Sequence, residues 1–474
     1  MEEIKNRKWI NVLERDSRIK NDGTEDVGPL IQKIIKETDF CVLYFPKGKY
    51  LFKTGVTIDK EITLHGDSNS STSATQFITR GVPNISIITL TARKQCIKNI
   101  SFYSDSCEMI VHDEPPTKGN PHYHYEMFIK RNENNEELKG VSAITCTAET
   151  TGLGHYENLY ITGFSGTGIQ IPYYSIVNDI TVSSCGLGID TGNDIIISNS
   201  RIYECQKGME IKVGASLNNI KIEKIQEVGL RSKGGGSYKI NNITIDQCGH
   251  CGFAFGTMIN TSISGIIRRC GQYYYNTDYD TYSNMENRKE DAYSLFYGEN
   301  FKNCHVNLLS DNKDNWDDGL EYKHKVYVFK TYYMIKSTLK CNIDAYDYII
   351  KANNGGGNLR LQNNFNDYIF IDSSVPEIVN GINLKGYHKN RNLLMLDNGK
   401  LSLKTGPDDE KKNIFRAQQG FIATSLDSDI SHIKSAYGGE WIELGSELIG
   451  KETVYYYKVP KPQQSSETQK IINK

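Results

Sequence analysis

The sequence predicts an all-β chain wound as a parallel β-solenoid, and three observations carry that reading. The first is an internal repeat. The segments NLYITGFSGTGIQI (158–171), NDITVSSCGLGID (178–190), NSRIYECQKGMEI (199–211), NNIKIEKIQEVGLR (218–231) and NNITIDQCGHCGFAF (241–255) share one pattern: strand, apolar or Cys position, turn, Gly, then apolar-x-apolar. The second is the spacing. The glycines fall at 168, 188, 208, 229 and 252, steps of 20 to 23 residues, which are too short for a propeller blade and suit one solenoid turn. The third is composition: 30 Tyr against 3 Trp, with 41 Gly and frequent Asn, fits strands joined by many tight turns.

In such a coil every strand pairs with the strand one turn above and below, so equivalent side chains stack about 4.7–4.9 Å apart. Cys185, Cys205, Cys248 and Cys270 occupy one column, with Phe164 and Ile225 in equivalent places. Cys is a small hydrophobe, and the column reads as a buried, reduced ladder. CGHC at 248–251 has the CxxC spacing, but no second CxxC or HxxxH exists to complete a zinc site. Eleven Cys spread over 474 residues are also too dilute for a disulfide scaffold.

The elements follow in order. Val27, Leu30, Ile31, Ile34 and Ile35 recur at helical spacing and predict an amphipathic helix that covers the first turn. CVLYFPKGKYLFKTGVTIDKEITLHG supplies the first strands, so residues 1–66 read as cap and opening strands. The coil proper is expected over 67–388, its later turns running through HVNLLS, LKCNIDAYDYII, LRLQNNFNDYIFI and INLKGY. Residues 389–450 read as a small β region for trimerisation or binding, and 451–474 as a flexible polar tail.

Composition excludes several functions. With 55 Lys and Arg against 57 Asp and Glu, the net charge of −2 argues against a general nucleic-acid or anionic-membrane binder. No apolar run reaches the roughly 18 residues of a membrane span. The opening MEEIKNRKWINVLERDSR has no apolar signal core, so no signal peptide is expected.

KNDGTEDVGPLIQKII followed by LYFPKGKYLFKTGVTIDKEITLHGD resembles the opening of the pectate-lyase-like right-handed β-helix superfamily, in the form common among phage tail spikes and appendages. The resemblance covers 14–66 and continues as a diffuse repeat over 97–388. It implies a right-handed parallel β-helix, homotrimeric in phage members, that binds or cleaves a surface glycan. The expected location is the virion, with other tail or baseplate proteins as partners. Reaction type does not follow from the fold.

Candidate chemistry lies in the turn before each Gly-apolar-x-apolar strand. Aligning GHCGFAF (249–255), EDAYSLF (290–296) and DDGLEY (317–322) as successive turns puts His250, Glu290 and Asp317 in one column, and Cys251, Asp291 and Asp318 in the next. Carboxyls on adjacent or alternate turns would stand about 5 or 10 Å apart, spanning the separations that retaining and inverting glycosidases use. Glu290, Asp291, Asp317 and Asp318 are the catalytic candidates, with solvated turn acids as the plain alternative. DDG at 317–319 and GHCG at 249–252 look like broken versions of the polygalacturonase DD and GHG motifs. Their order is reversed, GHCG holds an extra Cys, and only the use of carboxylates on one face carries over.

Substrate contacts are expected from His250, Arg268, Glu321 and the aromatic residues Tyr273, Tyr274, Tyr275 and Trp316. Those tyrosines belong to the longest interruption of the repeat (271–300), and tyrosine rings suit sugar faces. A contact between subunits is the alternative for that loop. Another loop, HDEPPTKGNPHYHYEMF (112–128), reads as a lid or contact loop ahead of a metal site. Two outward columns, Asp190–Glu210–Arg231 and Glu223–Asp246–Arg268, read as surface ion-pair ladders ahead of sites. The function expected is hydrolysis of a host surface polysaccharide or teichoic-acid-like polymer, with no cofactor. The rivals are a non-catalytic receptor-binding spike and a polysaccharide lyase, which would call for Ca²⁺.

Overall fold

Strands from Lys8–Asn11 to Glu377–Ile378 join through parallel pairing into one continuous 26-stranded ladder. This computed structural model describes residues 7–69, 74–114, 122–147, 152–271 and 294–309, and beyond them the backbone of strands between 327 and 458. Each middle turn contributes one long and one short strand. The long strands include Cys96–Ser104, His155–Thr162, Ile176–Ser183, Ile196–Tyr203, Ser216–Ile225, Lys239–Cys248 and Ser262–Cys270. Their register stacks Phe102, Ile161, Val182, Ile202, Ile222, Ile245 and Ile267 in one inward row, all fully buried. The short strands stack Ile144, Ile169, Ile189, Met209, Leu230, Phe253 and Phe296 against it. The core is the channel between these rows.

A long strand covers two faces of the coil. The first part of Cys96–Ser104 pairs with Thr63–Gly66, and its last part pairs with Thr75–Thr79. The bend falls at Asn99, which has φ of 56°. Asn158, Asp179, Asn199, Asn219 and Asn242 repeat that left-handed conformation on successive turns. Asn and Asp tolerate it better than other residues with a side chain. The amides also link the turns: Asn158 donates to Asn99 at 2.7 Å and Asn219 to Asn199 at 2.8 Å. The cross-section is therefore three-sided. Face one precedes the Asn bend, face two follows it, and face three is the short strand.

Between faces two and three the chain turns through a second left-handed residue, at Ser184, Glu204, Lys224, Gln247 and Arg269. The next position holds Cys185, Cys205, Ile225, Cys248 and Cys270, all fully buried. The described cysteines are free, as the predicted thiol column requires, and burial pushes the Cys185 and Cys248 thiols well up. The glycine column has a steric cause. A Cβ on Gly188 would lie 2.6 Å from the Gly208 carbonyl oxygen and 2.6 Å from Ile202, and Gly168, Gly208 and Gly229 meet the next glycine's oxygen in the same way.

The amphipathic helix runs over Gly28–Glu37 and buries Ile31, Ile34 and Ile35 against the first turn. It also closes an edge. Strand Val56–Ile58 pairs with Ser86–Leu90 on one side, and on the other Gln32 donates to the Thr57 carbonyl and accepts from its N–H. A side-chain amide thus stands in for the missing strand.

Two expectations for the C-terminal part need correction. The last parallel pairing is Leu359 with Ile378, whereas Tyr368–Ile371 and Leu384–Lys385, expected as coil strands, pair antiparallel with Asn392–Asp397 and Ile414–Ala417. The repeat pattern could not distinguish these, because short alternating strands look alike in either pairing. Within the expected tail, Glu452–Lys458 is a strand, paired antiparallel with Ile442–Ile449 and Ile422–Ser425. Its VYYY core has strong strand propensity, which the polar residues beyond it masked.

The glycine column gives a stability test. Gly188→Ala forces a backbone shift between two turns and should cost about 2–4 kcal/mol. Gly81→Ala, where φ is 67° but nothing lies within 4 Å, should cost only about 1 kcal/mol. Urea melts of both variants would read the difference, and equal losses would contradict the stacking explanation.

Candidate functional site

The coil is interrupted at the corner that follows face two. Residues 105–141 and 272–293 both come after strands that end there, Cys96–Ser104 and Ser262–Cys270, where ordinary turns need only three or four residues. The first interruption contains a hairpin, Cys107–Val111 paired with Tyr125–Ile129, that lies lengthwise along this corner. Cys107 donates to the Ser184 carbonyl at 3.1 Å, and the Met127 N–H donates to Gln226 at 2.9 Å. Tyr125 sits 5.9 Å from the Lys224 ammonium, and the Tyr123 hydroxyl lies 2.7 Å from His250 Nε2. The hairpin therefore spans several turns and walls one side of face two.

Those contacts revise the role expected for His250. It is 3% exposed, its ring meets Tyr123 edge-on, and its backbone N–H donates to Glu227. His250 thus seats the hairpin and does not present itself to a ligand. Gly249 of the same GHCG turn serves the same contact, since a Cβ there would lie 2.7 Å from the Tyr123 ring. In the hairpin His112 bonds Glu126 at 2.9 Å and stacks on His122, and no group of described residues could hold a metal ion.

Face two carries polar and aromatic side chains outward on alternate positions. One register row is Tyr103, Thr162, Ser183, Tyr203, Glu223, Asp246 and Arg268; the neighbouring row is Ser101, Tyr160, Thr181, Arg201, Lys221 and Thr244. Tyr103 and Tyr160 lie 5.7 Å apart, and the Arg201 guanidinium sits 4.6 Å from the Tyr203 ring centre. Glu223 takes Arg201 on Oε1 and Lys221 on Oε2, the latter at 2.6 Å. On the next turn Asp246 takes Arg268 at 2.9 Å and a two-point contact from Arg269. Burial pushes the Glu223 carboxyl up, but Lys221 and Arg201 outweigh it and hold the pKa below the ordinary value.

Face three carries the other outward column. Gln170 donates to Asp190, and Lys233 bridges Asp190 at 3.2 Å and Glu210 at 2.5 Å. Burial pulls the Lys233 ammonium down, yet Glu210 and Asp190 prevail and raise its pKa. Both columns are ion-pair ladders. The second differs from expectation in its cation, because Lys233 bridges the pair while Arg231 stacks beside Glu210.

Of the residues read from sequence as site candidates, Arg268 is on face two, paired with Asp246. Glu290, Asp291, Asp317, Asp318, Tyr273, Tyr274, Tyr275, Trp316 and Glu321 lie outside the described residues. The register around them is nonetheless corrected. The short strands set Phe253 opposite Phe296 and Phe296 opposite Phe329, offsets of 43 and 33 residues, against 40 and 27 in the column drawn through His250, Glu290 and Asp317. The interruptions absorb the difference. Tyr103, Tyr160, Arg201, Tyr203 and Lys221 were not singled out from sequence, although NISFYS, NLYIT, SRIYE and IKIEK place them at alternate, outward positions of the repeat.

Glu223 gives a pH test. A carboxylate whose pKa is depressed by folding stabilises fully above its unfolded value, near 4.3, and loses that contribution as pH falls through the folded value. Glu223→Gln should therefore cost about 1–3 kcal/mol at pH 7, and much less near pH 3. Thermal melts of both proteins across this range would check it; a gap independent of pH would refute the pairing.

Residues 9–210 match the family model described as rhamnogalacturonase A/epimerase, pectate lyase-like. No curated protein matches the chain by sequence. Among solved structures, the Dettilon tailspike protein aligns with a TM-score of 0.51 at 10% identity, covering 96% of this chain and 90% of that one. Geobacillus virus E2 ORF18 aligns at 0.39 and 11% identity, covering 89% and 72%. The catalytic domain of a GH87 α-1,3-glucanase aligns at 0.43 and 10%, covering 75% and 64%. At these identities the likeness concerns fold alone. With its in-register coil and capped first turn, the chain has the parallel β-helix fold, and over residues 9–210 it is similar to the pectate-lyase-like family.

Proposed function

We propose that the chain is a phage-type tail spike or appendage that binds and hydrolyses a host surface polysaccharide or teichoic-acid-like polymer. The observation that carries the binding half is face two: partly buried tyrosines and half-exposed cations in rows along the coil, walled on one side by the hairpin. Tyrosine offers a flat apolar face and a hydroxyl to a sugar ring. The interruptions that follow face two fall where solenoids commonly carry their binding residues. The fold shared with the Dettilon tailspike supports the virion setting, and a homotrimer working with other tail proteins is part of the same proposal.

For cleavage, Glu290, Asp291, Asp317 and Asp318 remain the proposed carboxylates, one protonating the leaving oxygen and another acting as base or nucleophile. No cofactor is required by that chemistry. One observation favours the non-catalytic reading instead. The carboxylates of the described outward columns, Asp190, Glu210, Glu223 and Asp246, all face cations and are engaged in ion pairs.

A product assay on purified host envelope polymers separates the readings. New reducing ends without ultraviolet absorbance mark hydrolysis, and Asp317→Asn with Asp318→Asn should then lower the rate by about 10²–10⁴ while adsorption persists. Ultraviolet-absorbing products would instead mark a lyase. Binding without product would leave a receptor-binding spike.

A further inference from the structure

Carboxylates and cations on face two differ sharply in exposure. The side chains of Glu223 and Asp246 are 11% and 4% exposed, while those of Arg201, Lys221 and Arg268 keep 49%, 50% and 40%. Each carboxylate is matched by two cations: Arg201 and Lys221 on Glu223, Arg268 and Arg269 on Asp246. A ladder kept for stability needs one cation per carboxylate, and exposed pairs add at most about 1 kcal/mol each. Here the anions lie beneath and the surplus positive charge lies above. That surplus is local, because the whole chain carries −2.

The arrangement also follows the coil axis. Arg201 and Lys221 are register partners on adjacent turns, and Glu223, Asp246 and Arg268 continue the neighbouring row. Arg201 and Lys221 thus stand one turn, roughly 4.8 Å, apart, and Arg268 follows two turns later on the neighbouring row, each fixed from below by a buried carboxylate. Tyr203 lies beside Arg201 on its own turn, and Tyr160 and Tyr103 extend the same face over preceding turns. A linear polymer lying along the axis would meet aromatic rings first and then a cationic stretch.

We propose that face two binds an anionic glycan, its phosphate or carboxylate groups over Arg201, Lys221 and Arg268 and its sugar rings against Tyr103, Tyr160 and Tyr203. This rests on the glycan-binding function above and assigns that function a polymer chemistry and a place. The buried carboxylates position the cations and exclude a second layer of negative charge from the binding surface. Neutral glycans would gain the tyrosine contacts alone.

The test uses the full chain with a poly(glycerol phosphate) polymer, polygalacturonate and neutral dextran, measuring binding at about 50 mM and about 500 mM salt. Binding to either anionic polymer, weakened about tenfold at the higher salt, is the expected result, and which polymer binds distinguishes phosphate from carboxylate. Arg201→Gln, Lys221→Gln and Arg268→Gln together should weaken it at least about tenfold. Lys33→Gln, which removes a single charge on the capping helix, should not. Should the triple variant fail to fold, Arg268→Gln alone leaves Arg269 on Asp246 and carries the test. Salt-independent binding to dextran, or anionic binding indifferent to these substitutions, overturns the inference while leaving a glycan binder. Binding to none of these polymers and to no envelope polymer overturns both.

Discussion

In-register parallel stacking is the constraint on which the rest of this structure depends. Once a strand pairs with its equivalent one turn away, each side chain's nearest neighbours are the residues at the same place in adjacent turns. A position must therefore suit its own kind. Cys, Ile and Phe stack in the corner column because each is small or apolar enough to sit on the next. Gly fills the following column because the neighbour's carbonyl occupies the space a Cβ would take. Asn fills the bend because its amide both tolerates the left-handed backbone and donates to the Asn above it.

Charge obeys the same rule with the opposite outcome. Like charges one turn apart repel, so a charged column is stable only when cations enter it or reach it from the side. Lys233 does this for Asp190 and Glu210, and Arg201 with Lys221 does it for Glu223. Burial strengthens the demand, because a carboxylate withdrawn from water needs its partners more. The charge pattern on the surface is thus a product of the backbone ladder before it is anything functional.

This also explains what could be seen in the sequence. The glycine and cysteine columns were visible because stacking repeats them at nearly constant spacing, and the helix because Ile31, Ile34 and Ile35 keep a helical period. The role of His250 was not visible, since its partner Tyr123 is 127 residues away and arrives through a hairpin that interrupts the repeat. Offsets of 43 and 33 residues replaced the regular step after Gly252, so the register through the later turns could not be counted from the sequence. Antiparallel strands such as Tyr368–Ile371 keep the same alternation as coil strands and differ only in partner.

The ladder finally bears on where acid–base chemistry can reside in such a coil. A general acid needs a carboxyl left protonated near neutral pH, which requires burial or a like charge without a compensating cation. On the described faces the outward columns of Asp190 and Glu223 each have their cations, and Glu223 is held below the ordinary pKa. Loops that leave the ladder are free of its pairing rule. They can bring two carboxyls together without importing the cation that stacking demands. That is why the regular faces suit recognition of a charged polymer, and why the proposed cleavage is assigned to carboxylates outside the described faces, Glu290, Asp291, Asp317 and Asp318.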